Sequence, residues 1–320
     1  MEELDLRVYR RVKEVFQLVF KELDKAIVGQ REVIENLIIA LLCDGHVLLE
    51  GYPGLGKTMI VKNLAKIMDL KFSRIQCTPD LMPSDITGTY VIEEKNGKKE
   101  FRFERGPVFT NVLLADEINR ATPKAQSALL EAMQERQVTI GNETYTLDRP
   151  FFVLATQNPI EMEGTYPLPE AQLDRFLFKL VIDYSSAEEE ARIVDMYTSG
   201  KAGEVEKVLD RETLLSLQRL TRQVPISEKL KKYAISIVTE TRRKENASGV
   251  EYGASPRASI GLVLSAKARA LLRGRNYVSK EDIEAMAYPV LRHRIILSFD
   301  AARKGVTTDS VIKRIIESLR

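Results

Sequence analysis

Gly51-Tyr52-Pro53-Gly54-Leu55-Gly56-Lys57-Thr58 is the stretch on which the reading of this chain turns. It fits the pattern G-x-x-x-x-G-K-[ST]. A short apolar run, His46 to Leu49, precedes it, and a helical pattern from about Lys57 to Met68 follows, so strand, loop and helix come in the order the pattern requires. Glycines let the backbone fold tightly enough for successive N–H groups to point at one anion. The start of the helix adds a positive dipole end, worth about 0.3–1 kcal/mol toward an anion. Lys57 is expected to reach the β- and γ-phosphates of a nucleotide, and the Thr58 hydroxyl to ligate Mg²⁺. The alternative is a Gly-rich turn that matches by chance. The length of the match, its flanks and its downstream companions weigh against that.

Outward from the loop, Val33, Ile34, Leu37, Ile38, Leu41 and Leu42 recur at helical spacing and predict an amphipathic helix over Arg31 to Leu42. Short strand-like runs follow at Phe72 to Ile75, Val112 to Ala115, Phe151 to Thr156 and Phe178 to Ile182. Helical patterns separate several of them. Strands alternating with helices imply an α/β fold with a mostly parallel sheet covered on both faces. Two stretches break the rhythm and read as hairpins: Thr89 to Phe103, with a polar tip at Lys95 to Lys98, and Gln137 to Leu147, turning near Gly141-Asn142. Beyond Ser185 the strand signals stop. Helices are predicted at Thr213 to Gln223, Ser227 to Lys244, Pro256 to Leu272, Lys280 to Arg292 and Asp309 to Leu319. Ser279 with Asp282 has the form of a capping box. The expected division is an α/β core over residues 1–185 and an all-helical domain over residues 186–320.

Val112 to Ala115 runs into Asp116-Glu117, two carboxylates at the end of an apolar strand. Asp116 is expected to hold Mg²⁺ through water, and Glu117 to orient and deprotonate an attacking water. Alone such a run is weak, because strands often end in solvated acids; downstream of a phosphate loop it gains weight. Asn158 ends another strand, where a parallel sheet gathers its ligand crevice, and is a candidate to hydrogen-bond the attacking water or the γ-phosphate. The alternative is a turn-forming residue before Pro159. Ser255-Pro256-Arg257 has the form of a helix cap, a proline in the first turn, and a cation opposed to the helix dipole. An anion should compensate Arg257, and a γ-phosphate would; a solvated surface arginine is the alternative. Arg175 lies beside apolar residues just before a strand and could project into a neighbouring subunit's nucleotide, or pair within its own chain near Asp174.

The 320 residues carry a net charge of +2, with 44% hydrophobic and 29% charged residues, as in an ordinary globular protein with room for one large and one smaller domain. So small a charge argues against gripping nucleic acid through phosphates as the main activity. Apolar stretches such as Asn36 to Cys43 are far too short to span a bilayer, and the charged N-terminus lacks the layout of a secretory signal, so the expectation is a cytoplasmic protein. Cys43 and Cys77 have no metal-ligand spacing, and no disulfide is expected between them. His46 and His293 have no ligand partner at suitable spacing and read as structural.

With these residues in hand, the chain resembles AAA+ ATPases and, within them, the MoxR family, over nearly its whole length. Ile27-Val28-Gly29-Gln30 is similar to the adenine-side segment, Gly51 to Thr58 to Walker A, and Val112 to Glu117 to Walker B. Asn158 matches sensor 1, Arg175 the arginine finger, and Gly253 to Ala258 the start of the sensor 2 helix. Asn119-Arg120 and the run Tyr288 to Ile295 mark the MoxR family. The hairpin at Thr89 to Phe103 corresponds to the helix-2 insert of the MoxR and magnesium-chelatase clade. The resemblance implies a P-loop core followed by a helical lid, with ATP bound between them on each subunit's own loop. ATP would be held by Val28, Gly29, Gly51, Pro53, Gly54, Leu55, Gly56, Lys57, Thr58, Met59, Asp116 and Arg257. Lys57, Glu117, Asn158, Arg175 and Arg257 would serve hydrolysis, with Mg²⁺ at Thr58 and Asp116. It further implies a hexameric ring, a von Willebrand factor A-domain partner, and a role in maturing client proteins such as metal or cofactor insertion. The aromatic-Gly pore loop of protein-threading unfoldases is not found, which favours local remodelling. A nucleic-acid motor of the same clade and a nucleotide-gated scaffold are the other readings. The mixed charge of the first hairpin (Lys95, Lys98, Lys99 and Arg102 among Glu93, Glu94, Glu100 and Glu104) speaks against the motor.

Overall fold

The computed structural model describes residues 6–95, 98–160, 164–200, 203–243 and 248–319. The chain opens with α1 (Leu6–Leu23), whose Tyr9, Val12, Phe16, Val19, Phe20 and Leu23 recur at helical spacing and are buried. Next come α2 (Arg31–Leu42), β1 (Val47–Gly51), α3 (Lys57–Ile67) and β2 (Phe72–Gln76). The short α4 (Pro83–Thr87) leads into a hairpin of β3 (Gly88–Lys95) and β4 (Lys98–Arg105), and β5 (Val112–Asp116) returns to the sheet. After a 3-10 turn at Ile118–Arg120, α5 (Pro123–Glu135) runs to a second hairpin, β6 (Gln137–Ile140) and β7 (Glu143–Thr146). Then β8 (Phe152–Gln157), the short α6 (Glu170–Leu173) and β9 (Phe178–Ile182) complete the sheet.

The sheet is parallel throughout, in the spatial order β2-β5-β8-β1-β9. Alternation along its strands divides the interior in two. Leu48, Ile75, Leu113, Ala115, Val153 and Ala155 face a core closed by α4 and α5. Val47, Leu49, Leu114, Phe152, Leu154 and Phe178 face a larger core that takes in α1, α2 and α3. Strands buried on both faces need apolar residues at every position, which is why their runs read as continuous.

The remaining chain is α7 (Ala187–Thr198), α8 (Arg211–Gln223), α9 (Glu228–Glu240), α10 (Pro256–Leu272), α11 (Lys280–Leu291), α12 (Phe299–Arg303) and α13 (Thr308–Ser318). Strand signals do not end at Ser185 as the sequence suggested. Val250–Tyr252 (β10) and Ile296–Leu297 (β11) form a small antiparallel pair, too short to display alternation. Helices α8, α9, α10, α11 and α13 pack their apolar residues into the same contiguous core as α1, α2 and α3.

The two hairpins form at the expected places, the tip at Asn96-Gly97 lying outside the described residues. They also meet. Phe103 stacks on Tyr145 at 4.4 Å between ring centroids, Phe109 packs edge-on against both, and the Tyr90 and Tyr145 hydroxyls lie 3.0 Å apart. Both histidines serve the core. His46 accepts from Val153 N–H through Nδ1 at 3.0 Å and sets Nε2 3.0 Å from the Met133 carbonyl, while His293 Nε2 lies 3.0 Å from the Phe176 carbonyl. Cys43 and Cys77 are buried free thiols, and burial pushes Cys77 up to about 12.

Candidate functional site

The loop after β1 has a backbone only glycine can supply. Gly54 and Gly56 sit at φ +84° and +74°, and a side chain on Gly54 would point into open space, leaving the concave side of the loop lined by main chain. Gly51 is required for a different reason. Its neighbour β9 runs so close that a Cβ there would stand 2.1 Å from the Ile182 side chain. Gly56 caps α3 without a side-chain hydrogen bond, so the first-turn N–H groups of α3 point into the loop. Lys57 Nζ donates to the Gly51 carbonyl at 2.6 Å. Burial lowers its pKa, and the carboxylates of Asp116 and Glu117 act against that shift. Lysine, acids and loop therefore share one crevice.

The acidic side is built at the same end of the sheet. Gln76, Asp116 and Thr156 stand side by side at the ends of β2, β5 and β8. Thr156 Oγ1 donates to Asp116 Oδ1 at 2.6 Å and accepts from Glu117 N–H at 2.8 Å. Arg74 donates to Asp116 Oδ2 at 2.6 Å and to Gln76 Oε1 at 2.7 Å. Glu117 has left-handed backbone, φ +58°, which turns its side chain out of the strand; Gln76 Nε2 and Arg120 each donate to its Oε2 at 3.1 Å. The sequence reading gave Arg74, Gln76 and Arg120 no such role. The only signal of Arg74 and Gln76 was a polar residue at every second position of an otherwise plausible strand, and such residues usually face water; Arg120 was legible only as part of the Asn119-Arg120 pair that marks the family. Asn158, buried beyond the end of β8, uses its carbonyl oxygen to hold Ile160 N–H at 3.2 Å, so it makes the turn while standing at the crevice.

On the far side of the loop lies the segment around Val28. Gly29 has φ +74° and lies against the Glu189 carboxylate, and Gln30 Nε2 donates to the Asp183 carbonyl at 3.0 Å. The Tyr197 hydroxyl bridges this segment to α3, 3.0 Å from the Ala26 carbonyl and 2.7 Å from Met59 Sδ. Tyr52 of the loop stacks on Tyr184 with centroids 5.1 Å apart.

These features fit a nucleoside triphosphate with Mg²⁺: a main-chain cradle with open space before it, a lysine at its mouth, and a hydroxyl (Thr58) and a carboxylate (Asp116) beside it. Among the described residues no group of three or more His, Cys, Asp or Glu could hold a metal. An ion that takes most of its ligands from phosphates and water needs no such group.

Arg257 departs from expectation. It does not stand above its own subunit's loop. It lines a cleft with Arg136, Arg149, Asp174, Arg175 and Arg294 next to Asp44, Gly45 and His46, which precede β1, and Phe176 and Leu177, which precede β9. The cleft is thus at the opposite end of the strands from Lys57, and the length of β1 alone puts roughly 13 Å between the two ends. The physical reason is the tether of α10. Ser255 caps the helix through Arg257 N–H and donates to the Asp174 carboxylate at 3.0 Å. Arg294 holds the same carboxylate at 2.7 Å, and Arg257 approaches it at 3.9 Å. The anion that answers Arg257 within the chain is therefore Asp174. Burial lowers the pKa of Arg294, Asp174 acts against that shift, and bonds to the Phe176 and Leu177 carbonyls lock its position. Arg175 donates to the Leu130 carbonyl at 3.3 Å, and the Arg257 side chain is half exposed.

Comparison with known proteins agrees with this geometry. Residues 46–178 match the family model of the ATPase family associated with various cellular activities (AAA), and residues 242–315 match the AAA lid domain. The chain is 46% identical to Chaperone MoxR1 of Mycobacterium tuberculosis, over 93% of this chain and 80% of that protein. It is 45% identical to YeaC of Bacillus subtilis, over 94% and 92%. A crystal structure of a protein from Cytophaga hutchinsonii superposes with a TM-score of 0.90 at 46% identity, covering 97% of this chain and 96% of that one. The chain belongs to the MoxR family of AAA+ ATPases: a nucleotide-binding α/β core with a parallel sheet, followed by a helical lid domain.

Proposed function

We propose that this chain is an Mg²⁺-dependent ATPase that works as a ring of identical subunits and remodels a client protein. One observation carries the reading. Lys57, Thr58, Asp116 and Glu117 gather at one end of the sheet and Arg175 and Arg257 at the other, so loop and arginines meet only where two copies stack head to tail. Such contacts are heterologous, and where the rotation between copies closes they form a ring.

In this reading, residues 1–185 bind the nucleotide and residues 186–320 form the lid. Val28, Gly29, Gly51, Pro53, Gly54, Leu55, Gly56, Thr58 and Met59 hold ATP, with Lys57 at the β- and γ-phosphates. Mg²⁺ would be held by Thr58 and Asp116 and would supply charge neutralisation to the phosphates. Glu117 swings from Gln76 and Arg120 to take a proton from the attacking water, and Asn158 steadies that water. Arg175 and Arg257 of the neighbouring copy stabilise the charge on the γ-phosphoryl group. Because α10 is bound to β9 through Asp174 and Arg294, whatever moves Arg257 moves the lid and the edge of the sheet together. A client role, a von Willebrand factor A-domain partner, metal or cofactor insertion, hexameric stoichiometry and a cytoplasmic location are proposals drawn from the family. The name of the mycobacterial relative, a chaperone, supports the first.

Mixing subunits tests the arrangement. Arg175→Ala and Lys57→Ala proteins are each expected to be inactive, whereas a mixture regains activity, because some seams pair an intact loop with an intact finger. Confirmed mixed rings with no recovered phosphate release at any ratio would refute an arginine supplied by the neighbour.

A further inference from the structure

The face that carries Arg175 and Arg257 does not end with them. Ile260 and Leu264 of α10 line both the arginine cleft and a second, apolar groove alongside it, bounded by α8, α9 and α10. The groove is floored by Ile235, Ile260, Val263 and Leu264 and rimmed by Arg222, Lys231 and Lys267. Ile260 is 68% exposed and Ile235 41%. The cations are only partly answered within the chain: Lys231 lies 2.5 Å from Glu228, and Lys267 donates to the Arg222 carbonyl at 2.9 Å. No carboxylate lines the groove among the described residues.

At the other end of the molecule, α7 has the complementary character. It flanks the nucleotide crevice, tied there by Tyr197 to Ala26 and Met59, with the Glu189 carboxylate packed beside Gly29. None of its residues is buried; Val194 is 57% exposed and Tyr197 45%. Glu188, Glu189 and Glu190 fill its first turn, and Asp195 lies further along. At about 100° per residue, Glu190 lies only about 40° around the helix from Val194 and between it and Tyr197, whereas Glu188, Glu189 and the one basic residue, Arg192, lie about 120°, 140° and 160° away.

We propose that α7 of one subunit docks in the groove of the next, with Val194 and Tyr197 against Ile260 and Ile235 and Glu190 against the basic rim of Arg222, Lys231 and Lys267. The occupant is thus a second copy of this chain. Two observations select it: the signs of charge are complementary, and the groove continues the surface that carries the finger arginines while α7 continues the rim of the nucleotide crevice. A seam that brings one to the other brings the groove to α7. The inference rests on the head-to-tail reading above and adds a contact which that reading does not require. The contact would make α7, which touches the nucleotide segment at Gly29 and Met59, a reporter of nucleotide to the lid of the neighbour.

The test is disulfide cross-linking of the full chain with ATP and Mg²⁺. Native Cys43 and Cys77 are buried, so Val194→Cys and Ile260→Cys supply the reactive thiols. The double variant is expected to give a ladder of covalent oligomers up to the full ring. An equimolar mixture of the two single variants should stop at dimers, and each alone should stay monomeric. Rings seen by light scattering with no ladder would overturn the α7 contact and leave the head-to-tail reading standing. Absence of any oligomer at any concentration would overturn both. Charge reversal gives a second arm. Lys231→Glu should raise the concentration for half-assembly at least fivefold, and adding Glu190→Lys should bring it back within twofold. Losses that merely add would overturn the proposal.

Discussion

Glu117 is the proposed base at this site, and its setting supports that role. Left-handed backbone and a main-chain bond to Thr156 aim it out of β5, and Gln76 and Arg120 hold one of its oxygens. A Glu117→Gln substitution preserves shape and removes the base. Phosphate release is expected to fall by about 10²–10⁴-fold, the range for loss of a general base, while affinity for a fluorescent ATP analogue stays within about threefold. Unchanged turnover would dismiss Glu117 as the base. Arg74 acts on the partner acid. Its guanidinium occupies Asp116 Oδ2 at 2.6 Å and competes there with a cation. In an Arg74→Ala protein the Mg²⁺ concentration for half-maximal activity at saturating ATP should fall by about 1.5-fold to fivefold, of the size expected for a partly exposed ion pair. A rise would mean that Arg74 organises the acid instead.

At the scale of elements, the sequence disclosed what is written within a few consecutive residues and hid what depends on distant ones. The loop at Gly51 to Thr58, the strand ending in Asp116-Glu117 and the cap at Ser255 are local, and each lies where the residues indicated. The partners of those acids come from β2, some forty positions upstream, where Arg74 and Gln76 look like ordinary exposed polar residues. The location of Arg257 was equally hidden, because Asp174 and Arg294, which fix the start of α10, are far from it in sequence. The capping box at Ser279 was legible, but Asp282 does more than cap. It is fully buried and accepts from Arg269 and from both terminal nitrogens of Arg275 at 2.6–2.7 Å, joining α10 to α11. Burial acts to raise its pKa, but the bonds from Arg275, Ser279 and Arg269 prevail and hold it below the usual carboxylate range. Asp282→Ala would strand two guanidiniums and should lower unfolding free energy by about 3–5 kcal/mol, read from urea denaturation. A loss under about 1 kcal/mol would show that water replaces the carboxylate.

For the whole molecule, acid should loosen the fold through its histidines. His46 is held neutral: burial lowers its pKa to about 4, with Arg136 adding to the shift and the Met133 carbonyl and Asp44 opposing it. The unfolded chain has its histidine pKa near 6.5. Stability from this group is therefore complete above that value and falls as pH drops toward 4, because only the unfolded state gains the proton there. At 1.36 kcal/mol per unit the loss is about 3 kcal/mol across the window, and His293, buried and shifted the same way, adds to it. Urea midpoints at several values between pH 7 and 4.5 should fall in wild type and fall less steeply in His46→Gln. An identical slope in both would exonerate His46.

In the head-to-tail arrangement proposed above, with crevice and arginines at opposite ends of one sheet, a row of n stacked copies would complete n − 1 catalytic centres, and only closure would supply the last. A lone copy completes none. Turnover per subunit should therefore climb with protein concentration and vanish on dilution, so the enzyme counts its own neighbours before it spends a nucleotide.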